Sequence, residues 1–258
     1  MREQGPSTMT LQEFGEKVRE SRDIVFFTGA GISTESGVPD FRSPGGIWTK
    51  FQPVYYDDFL NSEAARITYW KMKRETYELY KNLKPNVGHY SIGSFEKRGQ
   101  LLGLITQNVD GLHGLAGVSE EKIVELHGTD RKVGCLNCGK LFDTEEVMMA
   151  LTEDFSPPLC DQCSGLLKPA TVSFGQPMPP EAMRRAQELC EKARIFIVIG
   201  SSLQVQPAAS FPVIAKQNGA LLAVINRDPT PLDSLADYNF NGEIGEFFSQ
   251  LNALTIDS

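Results

Sequence analysis

Residues 24–42 read IVFFTGAGISTESGVPDFR, and they contain the junction on which the fold depends. Apolar residues typical of a buried parallel strand lead directly into Gly29-Ala30-Gly31, as they do at the first turn of a dinucleotide-binding βαβ unit. The usual G-x-G-x-x-G pattern would have a third glycine at position 34, which Thr34 occupies in this chain. Two glycines also occur in turns for conformational reasons alone, so this stretch leaves a structural role and a pyrophosphate-binding role both open.

A Rossmann site for hydride transfer has an acidic residue about 20 positions beyond the glycine turn, where it binds the ribose hydroxyls. In this chain Asp57 and Asp58 lie instead in an insertion rich in aromatic residues. We therefore expect a bound dinucleotide to be held differently from a redox cofactor, and its chemistry to differ as well.

Further apolar runs predict the other strands of a parallel sheet, because strands buried on both faces carry few polar residues. They lie at residues 101–106, 123–126, 195–199 and 221–225. Helical patterns at residues 86–98, 180–193, 207–218 and 244–254 supply the crossovers that parallel strands require. Thr10 and Glu13 form a capping box for one more helix, which precedes the first strand. The sequence predicts an α/β fold with a doubly wound, Rossmann-like parallel sheet.

Two segments interrupt this alternation, and we expect them to fold together as a smaller lobe. Residues 48–83 are rich in aromatic and charged residues and predict a helical module, whereas residues 134–167 carry four of the five cysteines. The larger domain is then discontinuous and consists of residues 9–47, 84–133 and 168–258. Ligands of open α/β sheets bind at the carboxyl ends of the strands, so a second lobe beside that edge would form a cleft.

The composition restricts the partners. The chain of 258 residues has a formal net charge of −8, whereas electrostatic binding to nucleic acids or anionic membranes needs clustered Lys and Arg. Cationic substrates are favoured, and direct nucleic-acid binding is not expected. The longest apolar run, residues 220–225, is far too short to span a membrane, and residues 1–23 contain no continuous apolar segment. We expect a cytoplasmic protein without a membrane partner.

The cysteines predict a metal site. Cys135-x-x-Cys138 is followed after 21 residues by Cys160-x-x-Cys163, a spacing close to that of zinc ribbons. Two disulfides are the alternative, but they need an oxidising compartment for which the sequence gives no signal. Four thiolates leave no open position for water, so one structural Zn²⁺ is expected. Cys190 lies in a helical pattern and is interpreted as a packed core thiol.

Polar residues at the ends of two predicted strands are the candidates for catalysis. His127 follows the strand at residues 123–126, which places it where catalytic groups cluster. Asn108 and Asp110 follow the strand at residues 101–106, although both residue types also favour turns. His89 and His113 are interpreted as packing or capping histidines.

Taken together, these motifs resemble those of the sirtuins, the Sir2-type NAD-dependent protein lysine deacylases, and most closely their bacterial and archaeal members. The matching blocks are GAGISTESGVPDFR at residues 29–42, TQNVDGLH at 106–113, LHG at 126–128, the two CxxC units, GSSLQVQPA at 200–208, and VIN at 224–226. They follow one another in the family's order across almost the whole chain. The resemblance implies NAD as a co-substrate that is cleaved and not reduced, and acylated-lysine proteins or peptides as the second substrate.

By the same match, specific positions acquire expected roles. NAD would contact the glycine turn through Gly29, Ala30, Gly31 and Thr34, and the loop after it through Asp40, Phe41 and Arg42. The nicotinamide and ribose pocket would consist of Gln107, Asn108, Val109 and Asp110, and the adenosine site of Gly200, Ser201, Ser202, Asn226 and Ile244. The acyl-lysine peptide would contact Val172, Phe174, Gly175, Leu203 and Val205. The catalytic residues implied are His127, as general base, and Asn108.

The implied reaction begins when the nicotinamide, whose ring nitrogen is cationic in NAD, leaves the ribose. The ribose carbon that carried it is then captured by the amide oxygen of an acyl-lysine. His127 then takes a ribose hydroxyl proton, and the products are free lysine, nicotinamide and O-acyl-ADP-ribose. Two alternatives remain open from the sequence: transfer of ADP-ribose to protein, and a non-catalytic module that senses NAD.

The chain also departs from the family's pattern. Gln176 replaces an acid that often follows Phe-Gly, and Lys168 replaces the more usual Arg before Pro169. Members that remove succinyl groups carry a Tyr and an Arg three residues apart in the helical module, where this chain has Lys73 and Thr76. A tunnel specialised for acidic acyl groups is therefore not predicted, although Lys73 could still offer a cation.

Overall fold

The computed structural model of the chain describes residues 9–38 and 52–255. Asp40, Phe41 and Arg42, which the resemblance assigns to the NAD-binding loop, lie outside the described residues. No helix in the described part of the chain is long and apolar enough to cross a membrane.

Six strands form a parallel sheet in the order β3-β2-β1-β7-β8-β9. Their bounds are β1 Ile24–Thr28, β2 Leu101–Thr106, β3 Ile123–Glu125, β7 Ile195–Ile199, β8 Leu221–Ile225 and β9 Tyr238–Phe240. The chain first builds the sheet outward from β1 to β3 and then returns to the other side of β1, so the order reverses between β1 and β7. The prediction of a doubly wound Rossmann-like sheet is confirmed. β9 was not predicted, because Tyr-Asn-Phe is short and contains a polar residue.

Helices cover both faces of this sheet. Leu11–Glu20 (α1), Val87–Lys97 (α4) and Ile244–Thr255 (α9) pack on one face, where Phe26 lies in the core with Phe95 and Phe248. Pro180–Lys192 (α7) and Phe211–Gln217 (α8) pack on the other face, together with Phe27 and Phe196. Alternate residues of β1 thus enter opposite cores, as the pleat of a strand requires.

Local capping explains where these helices begin. Thr10 and Glu13 form the predicted capping box of α1, and Asn86 caps α4 through its own side chain. The helix predicted over residues 207–218 is divided into a 3-10 helix at Ala208–Ser210 and α8, whose first turn contains Pro212. Shorter elements are 3-10 helices at Ala30–Ser36 and Glu120–Lys122 and the helix α5 at Leu112–Leu115.

The smaller lobe contains an antiparallel sheet in the order β5-β4-β6, formed by Leu141–Asp143, Gly128–Cys135 and Leu167–Thr171. Its helices are α2 Tyr56–Asn61, α3 Glu63–Tyr80 and α6 Thr144–Ala150. Trp70 of α3 is fully buried in one cluster with Val133 and Leu167, so the helical module and the cysteine-bearing segment share a core. β4 runs from Gly128 to Cys135, so it crosses the division between residues 133 and 134 that the sequence analysis places between the larger domain and the cysteine-bearing module. The domain boundaries stay a proposal.

Candidate active site

The carboxyl ends of the parallel strands open into a cavity of about 730 Å³. One wall comes from the loops that follow β1, β2, β7 and β8. The opposite wall comes from α3, the first part of β4 and the segment that follows β6. The cavity therefore lies beside the point where the strand order reverses, which is the usual ligand site of an open α/β sheet.

The glycine turn after β1 packs against the loop after β7. A Cβ atom at Gly31 would lie 2.7 Å from Gly200 Cα, and one at Gly29 would lie 2.7 Å from Gly200 O. The Gly31 N–H donates to the Gly200 carbonyl at 2.8 Å, and the φ of Gly200 is +62°. The two glycines are thus required by the contact between two backbone loops, which adds a structural reason to their expected role in NAD binding.

Asn108 is held at the floor of the cavity. Its Nδ2 donates to the Gly29 carbonyl at 3.1 Å and contacts Ser33 Oγ at 3.2 Å, while its backbone N–H donates to Thr106 Oγ1 at 3.0 Å. The Ser33 hydroxyl in turn donates to Asp110 Oδ2 at 2.7 Å. Burial raises the pKa of Asp110, against the opposing effect of hydrogen bonds from the Leu112 N–H and Ser33. This network fixes the orientation of the Asn108 amide.

Two histidines lie behind this network. The rings of His89 and His113 are 4.8 Å apart between centroids, and both side chains are buried. His89 completes the N-terminal cap of α4, and His113 Nε2 lies 2.9 Å from Thr28 Oγ1. Burial lowers the pKa of His89 to about 4 and that of His113 well below its ordinary value. Both are therefore neutral at physiological pH, as packing histidines would be.

His127 lies on the wall of the cavity, between the end of β3 at Glu125 and the start of β4 at Gly128. Its Nδ1 is 2.9 Å from the Gln107 carbonyl oxygen, which can only accept a hydrogen bond. Nδ1 therefore carries the proton, and Nε2 has a free lone pair. Burial lowers the pKa of His127, while the bond to Gln107 acts in the opposite direction. The result is a neutral imidazole that can accept a proton.

Most of the predicted site residues in the described part of the chain line this one cavity. They are Gly29, Ala30, Gly31, Thr34, Gln107, Asn108, Val109, His127, Val172, Phe174, Gly175, Gly200, Ser201, Ser202, Val205, Asn226 and Ile244. Gln107 also links two loops, because its Nε2 donates to Ser201 Oγ at 2.8 Å.

Two predicted residues do not line the cavity. Asp110 lies behind Ser33, whose Oγ contacts the amide of Asn108, so Asp110 is connected to the cavity through Asn108. Leu203 is 5% exposed and belongs to the core cluster on the α7 and α8 side of the sheet, so its side chain is not placed to contact a peptide.

From the sequence, Lys73 and Thr76 were named only as replacements for a succinyl-binding pair, and Tyr80 and Asp130 were not singled out; all four residues line the cavity from α3 and β4. Lys73, Thr76 and Tyr80 occupy one face of α3, and Asp130 of β4 lies opposite them. Lys73, Thr76 and Tyr80 are spaced three and seven positions apart, which places them on one face of a helix. A face of mixed polarity is more often exposed to solvent, so the spacing alone does not predict that these residues line a cavity. Ser33, which contacts Asn108 and Asp110 from behind the cavity lining, was missed as well, although it lies within the quoted glycine motif.

A buried ion pair joins α3 to β4. Lys73 Nζ lies 2.6 Å from Asp130 Oδ1, and the two side chains are only 12% and 18% exposed. Burial is the largest single effect and would lower the pKa of Lys73, but the charge of Asp130, the proximity of Tyr69 and the hydrogen bond to Asp130 together outweigh it, so the pKa is raised. Lys168 is buried nearby, and its Nζ donates to the carbonyls of Pro169 and Thr171. Burial, followed by the charge of Lys73, lowers the pKa of Lys168 to about 7.

The four predicted metal ligands form a cluster at the far side of the smaller lobe's sheet. The sulfur atoms of Cys135, Cys138, Cys160 and Cys163 all lie within 4.8 Å of one another. The Cys135–Cys163 and Cys138–Cys160 separations are 3.5 and 3.7 Å, whereas tetrahedral zinc with Zn–S bonds of about 2.3 Å places its sulfurs about 3.8 Å apart. The residues fit one zinc ion, and the described cysteines are not paired as disulfides.

Curated relatives cover almost all of the chain. An NAD-dependent protein deacetylase of Thermodesulfovibrio yellowstonii is 46% identical over 92% of this chain and 91% of its own length. A protein of the same name from Rhodopseudomonas palustris is 44% identical over 92% of this chain and 93% of its own length. An NAD-dependent protein deacylase of Pyrobaculum aerophilum is 42% identical over 90% of each chain.

Solved structures match the fold equally well. A Sir2 protein with a deacetylated p53 peptide and 3'-O-acetyl ADP-ribose is 37% identical, covers 95% of this chain and 98% of its own, and has a TM-score of 0.86. A Sir2 complex with a p53 peptide and NAD⁺ is 35% identical over the same shares, with a TM-score of 0.84. The Sir2 family model matches residues 29–207, which include most of the cavity lining and all four clustered cysteines. This chain is a member of the Sir2 family.

Proposed function

We propose that the chain is an NAD-dependent protein lysine deacylase, which cleaves NAD and transfers the acyl group of a modified lysine to ADP-ribose. The observation that carries this proposal is the imidazole of His127, which is neutral and has a free Nε2 in the same cavity as Asn108 and Val172. The names of the relatives support it, because they are protein deacetylases and deacylases that depend on NAD.

NAD would lie along the carboxyl edge of the parallel sheet. The loops after β7 and β8 offer Ser201, Ser202 and Asn226 to the adenosine half, and the glycine turn adjoins the pyrophosphate. The nicotinamide end would then reach Asn108, whose amide is fixed by Gly29 and Ser33. A fixed amide needs no reorganisation when the ligand binds, which favours an ordered cofactor.

The chemistry follows from charge. The nicotinamide nitrogen is already cationic, so it can leave without an acid, and the ribose carbon is captured by the amide oxygen of the acyl-lysine. His127 Nε2 then accepts a proton from a ribose hydroxyl, whose oxygen attacks the carbon of the resulting imidate. The lysine nitrogen takes up a proton and leaves, and one water molecule adds to the remaining cyclic cation to give O-acyl-ADP-ribose. Nδ1 remains bound to the Gln107 carbonyl, which steadies the imidazolium that forms. General-base catalysis of this kind contributes about 10²- to 10⁴-fold.

The acyl-lysine would enter beside His127. The Val172 N–H donates to the His127 carbonyl at 2.8 Å, so the segment after β6 is tied directly to the catalytic residue. The Tyr56 N–H donates to the Phe174 carbonyl at 2.9 Å, and the rings of Tyr55 and Phe174 lie 6.0 Å apart. An acylated lysine has lost its charge, so an apolar passage along Val172 and Phe174 can accept it.

One structural Zn²⁺ at the four cysteines would hold the antiparallel sheet in place. Four thiolates leave no site for water, so the metal takes no part in the reaction. We also propose a cytoplasmic location, because closely spaced thiols that suit a metal and are not paired as disulfides are typical of a reducing compartment.

The test uses the purified chain with NAD and an acetyl-lysine peptide. We expect nicotinamide release that depends on the peptide, and a product with the mass of O-acetyl-ADP-ribose. A protein adduct that carries ADP-ribose would support ADP-ribosyl transfer instead, and NAD binding without nicotinamide release would support a sensing module. Either of these results would overturn the proposal.

A further inference from the structure

Two threonines end the neighbouring strands β1 and β2, immediately before the loops that carry Gly29 and Asn108. Neither strand has a polar side chain before Thr28 and Thr106, which are register partners in the parallel sheet. Both threonine side chains are buried. A valine would fill the same space without a polar group, so each hydroxyl is costly unless it is hydrogen-bonded. The two hydroxyls therefore call for a reason specific to this place in the sheet.

The two hydroxyls join Asn108 to His113 in one chain of hydrogen bonds. The Asn108 N–H donates to Thr106 Oγ1 at 3.0 Å, and the Thr28 hydroxyl donates to the same oxygen at 2.9 Å. His113 Nε2 lies 2.9 Å from Thr28 Oγ1. We call Thr106, Thr28 and His113 the threonine relay. Asn108 and all three members of the relay are buried, so these contacts do not compete with bulk water.

The direction of the relay fixes the tautomer of His113. The single hydrogen of the Thr28 hydroxyl is used toward Thr106, so the Thr28 oxygen accepts from His113 and Nε2 carries the proton. His113 Nδ1 is then an acceptor that has no partner among the described residues. Burial, followed by the charge of His89, keeps the pKa of His113 well below its ordinary value. The neutral ring is therefore a constant donor to Thr28 at physiological pH.

Asn108 is thereby held through its backbone as well as through its side chain. Its amide Nδ2 donates to the Gly29 carbonyl at 3.1 Å, while its N–H is held by the threonine relay. Without the relay's acceptor the Asn108 N–H would be buried and unsatisfied, and the backbone could relieve this only by moving. Such a movement would carry the amide away from the nicotinamide end of the proposed NAD site, where a displacement of about 1 Å can cost about 10²-fold in rate.

We propose that Thr106, Thr28 and His113 are positioning residues for NAD cleavage, because they hold Asn108 in its reactive orientation. The proposal rests on the deacylase function and extends it to residues that do not touch the substrates, since none of the three lines the cavity. Their effect should therefore fall on kcat for nicotinamide release. The KM for the acyl peptide should not change, because its expected contacts lie at Val172 and Phe174.

The first test compares Thr106→Val, which removes the hydroxyl, with Thr106→Ser, which keeps it. With NAD and an acetyl-lysine peptide, at a temperature where both variants are folded, Thr106→Val should lower kcat about tenfold and leave the peptide KM unchanged. Thr106→Ser should recover most of this loss.

Thr255→Val is the matched control for the loss of a buried hydroxyl. Thr255 is the last residue of α9, and its hydroxyl donates to the Leu251 carbonyl at 2.9 Å. This variant should keep the native kcat. A native kcat in Thr106→Val would overturn the proposal, and so would an equal loss of kcat in Thr106→Ser or in Thr255→Val.

A second test asks whether His113 acts through the same relay. His113→Leu removes the donor to Thr28 and should lower kcat by about threefold, a smaller loss because two hydroxyls separate His113 from Asn108. Residues that act through one chain of contacts are not additive, so the double variant His113→Leu/Thr106→Val should have the kcat of Thr106→Val alone. Additive losses would show that His113 acts by packing and would overturn the relay. If His113→Leu does not fold, Thr28→Val takes its place, with the same expected and contradicting results.

The two proposals fail in different ways. If the native chain releases no nicotinamide with any acyl peptide, the deacylase function is wrong and the proposed role of the relay is wrong with it. If the native chain is active and Thr106→Val retains its kcat, only the role of the relay is wrong.

Discussion

The two walls of the cavity are built in different ways. The catalytic wall (Gly29, Asn108, His127 and Gly200) is fixed mainly by contacts with backbone atoms, such as the approach of Gly31 to Gly200 and the bond from His127 to the Gln107 carbonyl. The opposite wall (Lys73, Thr76, Tyr80 and Asp130) is formed by side chains from α3 and β4, which are distant in sequence. Backbone contacts restrict residue types locally, whereas side chains from separate elements can change their chemistry by single substitutions. The catalytic wall should therefore tolerate fewer residue types than the second wall.

Metal removal should produce the largest difference in structural stability between the two walls. Structural zinc typically contributes about 10 kcal/mol or more to the folding of its module. Chelation, or Cys138→Ser, is expected to unfold the antiparallel sheet and abolish deacylation while the parallel sheet stays folded. Hydrogen exchange should then rise across β4 and β6 and remain slow in β1 and β7.

The fifth cysteine supplies the control for this experiment. Cys190 is buried in the core of the larger sheet, and its thiol donates to the Phe211 carbonyl. Cys190→Ser should retain one zinc per chain. Deacylation that survives complete metal removal, with unchanged exchange in β4, would contradict the dependence of the second wall on zinc.

Gly200→Ala should damage the catalytic wall. Gly200 and Gly99 both have positive φ values, +62° and +67°, but a Cβ at Gly200 would lie 2.3 Å from Ile32 N, whereas one at Gly99 meets no atom within 4 Å. Gly99→Ala should lower the free energy of unfolding by about 1–2 kcal/mol for the left-handed backbone alone. Gly200→Ala should lower it by about 1–3 kcal/mol more for the overlap, and should weaken NAD binding.

Chemical denaturation of the two glycine variants measures this difference. Equal losses in Gly99→Ala and Gly200→Ala would mean that the loops after β1 and β7 can move apart easily. The catalytic wall would then not be fixed by its backbone.

The pH dependence of kcat/KM should sharpen the assignment of His127. Burial lowers the pKa of its imidazole below the ordinary value of 6.5, and the base must be unprotonated to act. The rate should therefore be constant near neutral pH and fall about tenfold per pH unit only below this lowered pKa. A decline that begins above pH 6.5 would assign the titration to another group.

The sequence predicts the catalytic wall well and the second wall poorly, for physical reasons. Asn108 and His127 follow strongly apolar strands, so their position at the carboxyl edge can be derived from the pattern. Lys73 and Asp130 are far apart in sequence, and each is ordinary in its local context. Their pairing depends on how α3 packs on β4 through the buried Trp70, which local patterns do not encode.

Similar reasons explain the smaller differences. β9 was missed because its three residues lack an apolar run, and the role of Gly200 in holding the glycine turn depends on contact between two distant loops. The four cysteines were predicted correctly as a cluster, because metal coordination imposes its own spacing on the sequence.

The central claim is that the neutral imidazole of His127 acts as the base of the deacylation. NAD binding and peptide-dependent deacylation measured on the same preparation of His127→Ala test it most directly. The account predicts NAD affinity close to that of the native chain and product formation lower by about 10²- to 10⁴-fold. A His127→Ala protein that forms O-acetyl-ADP-ribose at the native rate would contradict it.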